Sequence, residues 1–163
     1  MSREKYFWAL LRLTLGLMFL WAFFDKLLGL GFATAPDKSW LSGGSPTTGF
    51  LKMAVTGPFA NLYHSLAGMP VVDWLFMMGL LGIGLALTLG VAIKFASACG
   101  IALVMLMYLA LIPPKNHPFI DDHIVEAVGF LGLILADSNP GELLGLGKWW
   151  RQTDLVQKYP WLR

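Results

Sequence analysis

The sequence predicts an all-α integral membrane protein, a four-helix bundle, and three observations lead there. Of 163 residues, 56% are hydrophobic, the mean hydropathy is +0.63 and only 13% are charged, well below the quarter or so usual in soluble domains. Several apolar runs reach the roughly 17–25 residues that cross a bilayer. The polar residues cluster at the ends of those runs. Length allows one domain, residues 1–163. The net charge of +2, carried on scattered lysines and arginines, excludes a nucleic-acid partner. Cys99 is the only cysteine, so a disulfide framework, a CxxC redox pair and a cysteine metal site are all excluded.

Span one covers about 6–28 (YFWALLRLTLGLMFLWAFFDKLL), with Arg12 inside it and Asp25 and Lys26 at its far end. Its start resembles a signal peptide but runs too far and lacks a cleavage site, so it is expected to stay as an anchor. Span two covers about 71–93 and span three 95–112, stopped by Pro113 and Pro114. Span four, about 120–136, is short for a spanning helix and is expected to lie against neighbours or where the bilayer thins.

Arg3 and Lys5 precede span one, Lys94 sits between spans two and three, and Lys148, Arg151, Lys158 and Arg163 follow span four. The positive-inside rule then puts both termini in the cytoplasm of a multi-pass cell-membrane protein. Connections 29–70 and 113–119 share the outer face. The long outer loop carries turn signals at Gly43–Pro46 and Gly57–Pro58 around FLKMAV and FANLYHSLAG, which predict short interfacial helices forming a lid. The C-terminal segment 138–163, with WWRQTDLVQKYPWLR, is expected to lie on the inner membrane surface.

Small-residue stripes at Gly82-xxx-Ala86-xxx-Gly90 and Ala96-xxx-Gly100 predict close helix packing. A guanidinium inside a span needs a partner. By depth the natural acid for Arg12 is Asp137; Arg12 is either a structural clamp or a functional cation holding a quinone oxygen or an anionic group. At the outer end, Asp73 and Asp121 suit N-cap positions. Glu126 lies one turn beyond Asp122 and three residues from His123, deeper than a rim residue, and its candidate cations are Lys26 and His123. Neither haem nor metal is expected. Only His64 and His123 could meet as axial ligands, and the set His117, Asp121, Asp122 and His123 has no diagnostic metal spacing.

From about Trp8 to Trp150, the stretches LRLTLGLMFLWAFFDKLLGLGFAT, GGSPTTGFLK, GPFANLYHSLAG, DWLFMMGLLGIGLALTLG, NHPFIDDHI and GLGKWW occur in this order. With these motifs the chain resembles the DoxX family, in its DoxD-like branch of thiosulfate:quinone oxidoreductase membrane subunits. The resemblance implies a four-helix membrane bundle, redox partner subunits and quinone as cofactor or co-substrate. Recurrent polar positions carry over as Arg12, Asp25, Lys26, Asn116, Pro118, Asp122 and His123. Glu126 stands where the family pattern has an aromatic residue.

The expected function is a membrane subunit of a quinone-linked oxidoreductase, with thiosulfate the most specific donor. His123 and Glu126 would relay protons, and Arg12, Asp25, Lys26, His64, Asn116 and Asp122 would form the substrate and quinone site. The alternative is an accessory subunit that anchors a larger respiratory complex and has no chemistry of its own.

Overall fold

The computed structural model describes residues 3–136 and 140–162, and these are all-helical, without strands. Helix α1 spans Arg3–Leu28, α2 Ala60–Leu66, α3 Pro70–Leu89, α4 Ile93–Ala110, α5 Asp122–Leu135, α6 Gly147–Arg151 and α7 Asp154–Lys158. Three of them, α1, α3 and α4, are long and apolar enough to cross a membrane.

Local chemistry sets the ends of these helices. Pro70 takes the first position of α3, where its missing N–H costs nothing. Gly90 closes α3 in the left-handed conformation at φ 75°, its N–H returning to the carbonyl of Ala86 at 2.9 Å. Helix α4 therefore starts three residues later, and span two is shorter than the sequence suggested. Asp121 caps α5, accepting from the N–H groups of His123 and Ile124. Asp73, the other expected cap, lies inside α3 and binds elsewhere, because Pro70 and not Asp73 opens that helix.

Packing runs in a ring from α1 to α3, α3 to α4, α4 to α5 and α5 back to α1. Glycines set the close approaches. A Cβ on Gly84 would run into Leu20, one on Gly100 into the Phe130 ring, and one on Gly132 into Trp8. On the stripe foreseen on α3, Ala86 packs against the core and Gly90 lies close to Gly141, but a Cβ on Gly82 would meet nothing within 4 Å, and Gly84 makes the approach to α1. The Ala96–Gly100 pair does face a neighbour. Between the helices, Leu15, Phe19, Met77, Ile83, Val104, Phe130 and Leu133 form one core, with Phe19 and Phe130 edge to face at 5.5 Å. Outward, Leu10, Leu17, Trp21, Leu75 and Met78 are exposed, a surface suited to lipid and not to water.

The 29–70 connection folds into a 3-10 turn at Pro36–Lys38, a π-helix at Phe50–Ala54 and α2. Leu51 and Val55 bury against Ala110 at the end of α4, with Tyr63 and Leu66 of α2 alongside. At the other end, the tail folds back, with Trp161 edge-on to Phe95 of α4 and Val156 buried.

Candidate functional site

Two cavities open at the end of the helices where α1 and α4 finish and α3 and α5 begin. The first, about 320 Å³, lies between α1, α3, α4 and the lid, with Leu66, Leu75, Phe76, Leu103 and Met107 among its apolar walls. Among the described residues, Lys26 is its only charged lining residue. The ammonium sits 6.0 Å from the centre of the Phe76 ring and, among the described residues, forms no ion pair or hydrogen bond. Tyr63 lines the same cavity and donates its hydroxyl to the carbonyl of Leu106 at 2.7 Å. Burial pushes its phenol pKa up, so the group stays protonated.

Asp25 adjoins Lys26 in sequence but turns away. Its carboxylate accepts from the N–H groups of Phe32 (3.2 Å) and Ala33 (3.0 Å), fixing the chain as it leaves α1. Asp25 is therefore spent on the turn and is not placed to bind a ligand. Asp73 acts as a second anchor: it accepts from the hydroxyls of Ser45 (2.8 Å) and Thr47 (2.5 Å) and from the Thr47 N–H (3.3 Å), tying the lid to α3.

The second cavity, about 420 Å³, is the more polar of the two, although Phe50, Leu111, Pro114 and Ile120 also line it. It is lined by Lys115, Asn116, Asp121, Asp122 and His123 together with Phe50 and Thr56 of the lid. His123 Nδ1 lies 2.8 Å from Asp121 Oδ2, so its partner is the cap residue. Glu126 does not meet Lys26. Its position on α5 shares the inward stripe of Phe130 and Leu133, and among the described residues it makes no ion pair or hydrogen bond. Lys26 leans on α3, which lies across the ring from α5, and that separates the pair the sequence had joined. His64 is exposed on α2 and lines neither cavity.

Arg12 sits at the opposite end, fully buried, in a cage of backbone carbonyls. Nε donates to Pro140 (3.1 Å), one terminal nitrogen to Leu87 and Thr88 (2.9 Å), the other to Leu143 (3.2 Å) and Leu144 (2.9 Å). All five guanidinium donors are used. The clamp alternative accounts for every one of them, and the functional cation finds no donor left for a ligand. Asp137, the acid expected beside it, lies outside the described residues.

The six foreseen substrate residues thus separate. Lys26 enters the apolar cavity, Asn116 and Asp122 the polar one, and Arg12, Asp25 and His64 neither. Sequence reasoning passed over Tyr63, Phe50 and the Ser45–Thr47–Asp73 latch. The amphipathic reading of FANLYHSLAG held the signal for Tyr63, whereas nothing local marks a latch between residues 26 positions apart. Among the described residues no group of three His, Cys, Asp or Glu side chains could hold a metal ion. Comparison with family models, curated proteins and solved structures finds no match.

Proposed function

We propose that this chain is the membrane subunit of a quinone-linked oxidoreductase of the DoxX type, with the quinone site at Lys26. One observation carries the reading: an ammonium with no ion pair or hydrogen bond among the described residues faces an apolar cavity large enough for a small ligand. Half-buried against apolar walls, that cation gains from an acceptor that meets it. A quinone presents carbonyl oxygens on an apolar ring and tail, and when bound it accepts electrons and protons. Lys26 would hold one carbonyl and stabilise charge there, while Phe76, Leu66 and Leu75 would pack the ring and exclude water.

In this reading α1, α3, α4 and α5 form a four-helix bundle in the cell membrane. Both termini lie on the cytoplasmic side, where the flanking lysines and arginines place them. The cavities then open outward, with His123 and Glu126 as candidate proton carriers and a partner subunit supplying the donor chemistry, thiosulfate being the donor to test first.

The test is purification in mild detergent followed by extraction and mass spectrometry of bound quinone. Wild-type protein should carry quinone, and Lys26→Met should bind it roughly ten- to a hundredfold more weakly, the loss of one charge-assisted hydrogen bond of about 1.5–3 kcal/mol. Equal quinone content in the two proteins, or none in either, sinks the reading.

The accessory reading has its own observation. Helix α5 has 14 residues, about 21 Å at 1.5 Å each against the roughly 30 Å hydrocarbon core, and it exposes Val125, Val128, Leu131 and Leu135. A neighbouring subunit would cover that short face. Stoichiometric recovery inside a respiratory assembly, without quinone, would favour it.

A further inference from the structure

The two cavities share one wall residue, Phe50. On one side of it lies the apolar cavity with Lys26, and on the other the polar cavity of Asn116, Asp122 and His123. The backbone that carries the ring is well held: the next residue, Leu51, is buried with Val55 against Ala110, and its N–H bonds the Thr47 carbonyl at 2.9 Å. Thr47 is in turn tied to Asp73. The ring itself is only half-buried. Phe50 also opens the π-helix Phe50–Ala54, a rare geometry that recurs at functional positions.

We propose that Phe50 is the partition between a lipid-side ligand site and an aqueous vestibule. The polar cavity conducts water and small polar solutes, and the ring decides how readily they reach the Lys26 ammonium. This deepens the proposed function by naming where the head group would exchange protons with water, and it rests on that reading only for the identity of the ligand.

A thiol probe tests the partition without any quinone. In proteoliposomes of the full chain, a Cys99→Ser, Leu103→Cys protein places one thiol on the wall of the apolar cavity and is treated with a charged, membrane-impermeant methanethiosulfonate. Labelling should be slow with Phe50, faster with Phe50→Leu and several-fold faster with Phe50→Ala. Asn116→Trp, which crowds the polar cavity, should slow the Phe50→Ala protein back towards the parent rate. Rates that do not follow side-chain size at position 50 overturn the proposal, as does a rise that Asn116→Trp leaves unchanged. An unaltered unfolding temperature for Phe50→Leu separates access from collapse. Failure of the quinone reading would appear only in the extraction experiment.

Discussion

Arg12 illustrates how a buried charge is tolerated without a visible ligand role. Leu87 and Thr88 lie in the last turn of α3, where carbonyls lack the N–H four residues on, and the guanidinium takes them together with three carbonyls from 140–144. Removing it would orphan several buried acceptors at once. Arg12→Lys, with three donors in place of five, should destabilise the protein by about 3–5 kcal/mol, the range for breaking a buried charged network, read as a lowered unfolding temperature in detergent. An unchanged unfolding temperature would show that the cage contributes little. Glu126 is the converse case, an inward position that makes no ion pair or hydrogen bond among the described residues and has the His123 imidazole as its attracting neighbour. Glu126→Gln removes charge and keeps shape, so it should assemble normally at equal or higher thermal stability. If the carboxylate carries protons, quinone-linked turnover should fall. Loss of assembly would instead make Glu126 a structural residue.

At the scale of elements, glycine placement decides which helices touch. Gly100 lies under the Phe130 ring, where an added Cβ would come within 2.6–2.8 Å of ring atoms. Gly100→Ala should therefore force α4 and α5 apart and cost about 1–3 kcal/mol. Gly82→Ala, facing open space, should cost nothing and gains helix propensity. Thermal unfolding of the two variants side by side checks the register, and equal losses would refute it. Spacing alone had made Gly82 a contact residue, because a repeat of four identifies a stripe but not which of its members meets a neighbour.

For the whole molecule, the proposed topology puts both chain ends on one side and His117 on the other. Single cysteines in a Cys99→Ser background, one near Lys5 and one at His117, should label from opposite sides of sealed vesicles. Labelling from the same side would refute the topology.

Legible in the sequence were the all-helical character, the helices long and apolar enough to cross a membrane, their rough positions, the short helices of the 29–70 connection and the Asp121 cap. These follow from local quantities: hydropathy over a window, proline and glycine signals, and a side chain reaching backbone two or three residues on. Tertiary structure decided the rest. It sent Asp25 back onto its own turn, gave Asp73 to Ser45 and Thr47, enclosed Arg12 in carbonyls from α3 and the 140–144 segment, and separated Lys26 from Glu126. Equal depth in a membrane brings charges to the same level, but only the order in which helices pack around the ring determines which of them meet.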